Sequence, residues 1–217
     1  MLLAVGHGSR DPRALATTRA LLRLVRAMRP ELTVRHCFLD HAEPSLPRAL
    51  SQLDGLRPIV VPLLLSTGYH VKVDLAATGL PLARALGPHP LLAEALADRL
   101  AEAGAPPHAP VLLAGAGSSD PAARADTARM AELLAARLGR PVTPAHLSGP
   151  GPTPQVAPRS ELALATYLLA PGHFARRAAA VPASWTSAPL GAHPALARLV
   201  LHRYDRARAA ARLPAAA

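Results

Sequence analysis

The chain has 217 residues, half of them apolar and 18% charged, a balance that calls for one large packed domain or two small ones and argues against disorder. Its formal charge of +10 and pI near 11.3 bring nucleic acid to mind. Aromatic residues, at 3%, are too scarce for base-stacking platforms, so no nucleic acid is expected; the basic surface also suits a polyanionic small molecule, and the charge alone does not decide between the two.

In chain order the pattern predicts a strand (2–5), a helix (12–29), a strand (32–39), a helix (44–54), a strand (58–65) and helices over 70–86 and 89–103. Arg19, Arg23, Arg26 and Arg29 recur at the spacing of a solvated helix face. A break rich in proline follows at 104–110. The pattern then restarts with a strand (111–115), a helix (121–138), strands (141–147 and 162–169) and helices (174–180 and 194–212). Strands alternating with helices predict parallel βαβ units. The apolar run at 58–65 is too short to cross a bilayer and the start carries no signal-peptide pattern, so a cytoplasmic protein with no membrane partner is expected. The single cysteine, Cys37, excludes an internal disulfide and a cysteine-built metal centre; within the strand at 32–39 it reads as an inert buried thiol.

The restart is a repeat with three anchors. Gly6-His7-Gly8-Ser9-Arg10-Asp11-Pro12 matches Gly115-Ala116-Gly117-Ser118-Ser119-Asp120-Pro121. Leu64-Leu65-Ser66-Thr67-Gly68 matches Leu168-Leu169-Ala170-Pro171-Gly172, and Leu86-Gly87-Pro88-His89-Pro90 matches Leu190-Gly191-Ala192-His193-Pro194. Residues kept in both halves are read as architecture: Asp11-Pro12 and Asp120-Pro121 as an N-cap with proline in the first turn, the glycines as tight strand-to-helix turns, His89 and His193 as structural. Residues found in one half only are candidates for chemistry. His7 becomes Ala116, Arg10 becomes Ser119, His70 aligns with Phe174, Glu43 falls near Gly151, and Asp74 aligns with Ala178. The expected organisation is an N-terminal lobe (1–104) that carries the site and a degenerate C-terminal repeat lobe (111–217).

His7 and His70 each follow an apolar strand, at the kind of strand end where ligands bind in parallel α/β sheets. Two neutral imidazoles with a carboxylate suit Fe²⁺, Co²⁺, Ni²⁺ or Zn²⁺, and so few ligands leave positions open for exchange. Either ring can also accept a proton near neutral pH. Lys72, the only lysine, would meet a substrate carboxylate as a point charge, or is a solvated helix residue as Arg176 is at the matching position. The loop at 6–10 lacks the lysine and the glycine spacing of a phosphate or dinucleotide loop. A Ser9/His70/Asp74 hydrolase would lack the nucleophile elbow.

Three strings carry a family resemblance: Gly6-His7-Gly8-Ser9-Arg10; Asp40-His41-Ala42-Glu43-Pro44-Ser45; and Pro62 through Asp74, with Ser66-Thr67-Gly68-Tyr69-His70-Val71-Lys72 at its centre. In order and spacing they resemble the sirohydrochlorin chelatases, the small class II tetrapyrrole chelatases, whose longer members are duplicated. The resemblance implies two tandem flavodoxin-like, chelatase-like α/β lobes, each a parallel sheet flanked by helices. It implies ATP-independent insertion of Fe²⁺ or Co²⁺ into sirohydrochlorin, a lyase reaction on the route to sirohaem or cobalamin, with no cofactor beyond the substrate divalent metal. By position, His7 corresponds to the proton acceptor and a metal ligand, and His70 to the second ligand. Glu43 and the loop Leu65, Ser66, Thr67, Gly68 and Tyr69 correspond to tetrapyrrole contacts, while Arg10 and Lys72 suit the anionic macrocycle's carboxylates. The alternative on the same fold is a metal or tetrapyrrole carrier that does not turn over. A monomer is expected, since the duplication can replace a homodimer of single units.

Overall fold

The computed structural model describes residues 1–68, 71–149, 153–154 and 160–212. Its elements run β1 (Leu2–Gly6), α1 (Pro12–Met28), β2 (Val34–Phe38), α2 (Leu46–Ser51), β3 (Ile59–Pro62), α3 (Pro90–Glu102), β4 (Val111–Gly115), α4 (Pro121–Leu138), β5 (Val142–His146), β6 (Ser160–Tyr167), α5 (His173–Ala179), β7 (Ala183–Thr186) and α6 (Pro194–Ala210). Two parallel sheets result, one ordered β2-β1-β3 and the other β5-β4-β6-β7. The expected α/β fold of two tandem lobes is the observed one.

Both faces of each sheet are covered, which is why the strands read as near-continuous apolar runs. Along β1, Leu2 and Ala4 face a core between the sheets while Leu3 and Val5 face outward onto Leu46 and Leu75. In the second sheet Val111, Leu113 and Ala163 share the central core, and Ala114 and Leu164 pack outward against α5. Cys37 is fully buried in the outer core of the first lobe, and burial pushes its thiol up to about 12. That makes it inert as a nucleophile.

The helices between the sheets are exchanged. The first half ends in α3, yet α3 packs on α4 and β6 of the second lobe; the second half ends in α6, which packs on α1 and β3 of the first. Arg29, at the end of α1, adds a two-pronged ion pair to Asp205 of α6, at 2.6 and 2.9 Å.

The four long helices begin alike. Asp11 and Asp120 accept from the amides of Arg13 and Ala122, and His89 and His193 accept through Nδ1 from those of Leu91 and Ala195, each one residue before a proline. The Asp-Pro and His-Pro pairs kept in both repeats are therefore caps, and the two histidines are structural.

Three elements differ from the pattern. The helix expected over 70–86 is a π turn at Val71–Leu75 and a 3₁₀ turn at Ala76–Thr78. Gly79 then turns left-handed (φ 64°), and residues 81–83 lie extended beside β3, with Val60 N–H donating to Pro81 and Ala83 N–H to Val60. Proline at 81 cannot continue a helix. The helix expected over 44–54 closes at Leu46–Ser51. The short, half-polar β7, just past Pro182, has no counterpart among the predicted strands.

Candidate active site

Parallel strands end together, so the segments leaving β1, β3, β4 and β6 meet at one edge of the molecule. Between them lies a cleft of about 1020 Å³ walled by both lobes. The size suits a large ligand.

One wall is the β1–α1 turn. Gly8 stands at φ 97°, a conformation side chains rarely adopt, and a Cβ there would overlap the Asp40 carbonyl oxygen. The amide of Asp40 in turn donates to the His7 carbonyl at 2.8 Å, which ties the turn to the segment after β2. The Ser9 hydroxyl accepts from the Asp11 amide, and Asp11 accepts from the amide and guanidinium of Arg13. His7, Ser9 and Arg10 are left facing the cleft, His7 and Arg10 exposed.

The β4–α4 turn repeats this geometry. Gly117 stands at φ 93°, where a Cβ would overlap the Ser148 carbonyl, Ser118 accepts from the Asp120 amide, and Asp120 caps α4. Backbone and caps agree; the side chains differ, Ala116 standing in the lining for His7, and Ser119, which is not among the described lining residues, for Arg10.

The β3-exit loop supplies Leu65, Ser66 and Gly68 to the lining. Its backbone is held from the other lobe: the Tyr167 hydroxyl donates to the Leu65 carbonyl at 2.8 Å, and the Thr67 amide donates to Asp126 at 2.8 Å. Tyr69 and His70 lie outside the described residues, and of Lys72 only the backbone is described. Glu43 is not among the described lining residues; its carboxylate accepts from the Ser45 amide at 2.9 Å and lies 3.9 Å from Arg48.

The lining includes His41, His173 and Arg176, which were not among the expected site residues. His41 sits at φ 55° with its imidazole 3.1 Å from the Asp40 carboxylate. It belongs to the Asp40–Ser45 string, so the sequence signal was present. His173 and Arg176 come from α5 of the second lobe. Arg176 reaches across to Asp11 at 3.5 Å. The Arg13 side chain and amide, with added charge from Arg176, hold the Asp11 carboxyl down to about 2. Asp11 is the only carboxylate among the described lining residues, so the cleft presents cations to a ligand. Among the described residues no cluster of three metal-ligating side chains occurs.

A family model described as CbiX matches residues 1–103, the lobe with the His7 turn. The chain is 31% identical to a sirohydrochlorin ferrochelatase of Bacillus subtilis (strain 168) over 167 residues, 70% of this chain and 64% of that protein. The solved structure of SirB from Bacillus subtilis with Fe³⁺ superposes with a TM-score of 0.78 at 26% identity, covering 97% of this chain and 96% of that one. The chain belongs to the sirohydrochlorin chelatase family. A second chelatase relative, a sirohydrochlorin cobaltochelatase of Methanococcoides burtonii, is 29% identical over 77 residues, 34% of this chain and 59% of that protein. The chain thus spans about 59% to 64% of the length of these two curated chelatases. No helix among the described residues is long and apolar enough to cross a membrane.

Proposed function

We propose that the chain is a sirohydrochlorin metallochelatase, a lyase that inserts Fe²⁺ or Co²⁺ into the tetrapyrrole without ATP, for sirohaem or cobalamin synthesis. The observation that carries this reading is the cationic cleft of about 1020 Å³ walled by the His7 turn and the β3-exit loop, in a chain of this family. Both the metal and the anionic macrocycle are substrates. The site is assigned to residues 1–104, and residues 111–217 wall the cleft without a second site.

Insertion replaces two pyrrole protons by a divalent ion, so a base must stand at the cleft. His7 is assigned as that base and as a metal ligand, with His70 as the second ligand. Two imidazoles hold a borderline divalent ion incompletely, which favours hand-over to four macrocycle nitrogens rather than storage. Arg10 and Arg176 face the cleft and suit the carboxylates of the macrocycle, to which the positive field also steers it. Leu65, Ser66 and Gly68 are assigned to its edge. Glu43, Thr67, Tyr69 and Lys72 enter the reading on the motif resemblance alone.

Anaerobic spectrophotometry of sirohydrochlorin with Co²⁺ or Fe²⁺ tests the reading. The native chain should accelerate metallation well above the spontaneous rate, and His7→Ala should lose on the order of 100-fold or more. A near-native rate in that variant would remove His7 from its role. A spectral shift without acceleration would make the protein a carrier.

A further inference from the structure

The β3-exit loop is held at two points by the opposite lobe, and the hold runs one way. Tyr167, at the end of β6, is buried, and its hydroxyl spans the lobes to the Leu65 carbonyl. Burial raises the phenol's pKa well above its ordinary value, so it stays protonated and able to donate. Gly87 leaves the room for this bond, since a Cβ there would overlap both the Tyr167 hydroxyl and the Leu65 oxygen. Two residues on, the Thr67 amide donates to the Asp126 carboxylate of α4 at 2.8 Å. A hydrogen bond to an ionised group is among the stronger ones available to a loop.

The sister lobe keeps the matching carbonyl, at Leu169, which accepts from the Gly191 amide instead, and lacks the other three groups needed to return these bonds. Strand register pairs Leu3 with Val60 and Leu112 with Leu164, which sets Tyr167 on Leu63, a side chain with no hydroxyl. The cap alignment of Asp11 with Asp120 sets Asp126 on Thr17, whose hydroxyl donates instead to the Arg13 carbonyl. Thr67 falls on Pro171, which has no N–H to donate. Contacts that served only to glue the lobes would have no reason to favour one loop. These favour the loop that runs on to Tyr69 and His70.

We propose that Asp126 and Tyr167 are positioning residues: from the second lobe they fix the 65–68 backbone, and so set the first lobe's metal site. The proposal rests on the chelatase reading and gives the second lobe a task within it. Residues that orient a metal's ligands without touching the ion typically change affinity by roughly 10- to 100-fold when removed.

The test uses the full chain, with Co²⁺ alone as the first probe and sirohydrochlorin metallation as the second. Asp126→Ala and Tyr167→Phe should each weaken Co²⁺ binding about 10-fold and slow metallation in step, while amide exchange in a peptide spanning Thr67 speeds up. Asp126→Asn keeps an oxygen acceptor and should recover most of the affinity. Arg29→Ala serves as the control for lobe-to-lobe glue: it should lower the melting temperature and leave Co²⁺ affinity alone. Faster exchange with native Co²⁺ affinity and rate would make the two contacts merely structural and overturn the proposal. Unchanged exchange would overturn it too, as would a native chain that binds no Co²⁺. A native chain that binds Co²⁺ but does not speed metallation would instead sink the chelatase reading, and the Co²⁺ titrations would still decide the positioning role.

Discussion

The turn over Gly6–Asp11 and the turn over Gly115–Asp120 share a left-handed glycine, a serine that accepts from the capping aspartate's amide, and a proline that opens the helix. One presents His7 and Arg10 to the cleft; the other presents Ala116 where His7 stands and has Ser119, outside the described lining, in the place of Arg10. The comparison separates two requirements that a single lobe would confound. What the backbone needs is kept in both copies, while the imidazole and guanidinium proposed for the chemistry stand in one.

The largest effect that could break this comparison comes from the glycines. Gly8→Ala and Gly117→Ala each force a Cβ into a neighbouring carbonyl at a positive φ, so each should cost about 2–4 kcal/mol in urea denaturation. Metallation, measured where both variants remain folded, should fail in Gly8→Ala and largely persist in Gly117→Ala. Equal losses of activity would erase the distinction between the turns.

A smaller effect separates the capping histidines. His193 lies 3.2 Å from the Asp98 carboxylate, whereas His89 sits against His202 and Arg203. Burial first, then the charges of Arg203 and His202, lower His89 to about 4. The unfolded chain therefore takes up this proton first as the pH falls. The stability contributed by neutral His89 is fully present above about 6.5 and is lost as the pH drops toward 4. His89→Asn keeps a cap acceptor, so urea midpoints for this variant should fall less steeply between those values than for the native chain. A slope equal to the native one would assign the acid sensitivity elsewhere.

The smallest expected effect is none. Ala116→His restores one imidazole to the second turn, but Pro171 and Phe174 still stand where Thr67 and His70 stand in the first lobe. Calorimetric titration with Co²⁺ should return the native stoichiometry; an added equivalent would show that the second lobe lacks only that one side chain.

The caps, the repeat and the strand ends were legible because each is local: Asp-Pro, His-Pro and a Gly-X-Gly turn announce themselves within a few residues. The segment after His70 was misread as a long helix because Val71–Leu75 does begin a helical turn, and only Gly79 and Pro81 stop it. The strand β7 stayed hidden because Ala183–Thr186 is four residues of mixed polarity, defined by its pairing with β6 rather than by its own pattern. Of the Asp40–Ser45 string, His41 is in the described lining of the cleft and Glu43 is not. Asp126 and Tyr167 gave no signal at all, since they meet their partners across 59 and 102 residues.

The exchanged helices bear on how the chain assembles. Each sheet keeps α1 or α4 from its own half and borrows α6 or α3 from the other, so neither half alone can cover the inner face of its sheet. Two separate halves would have to find each other in solution, and their stability would vary with concentration. The seven residues from Gly104 to Pro110 tether the halves at an effective concentration on the order of millimolar. The fused chain therefore assembles independently of its abundance, and its two halves are free to diverge because each always meets the same partner.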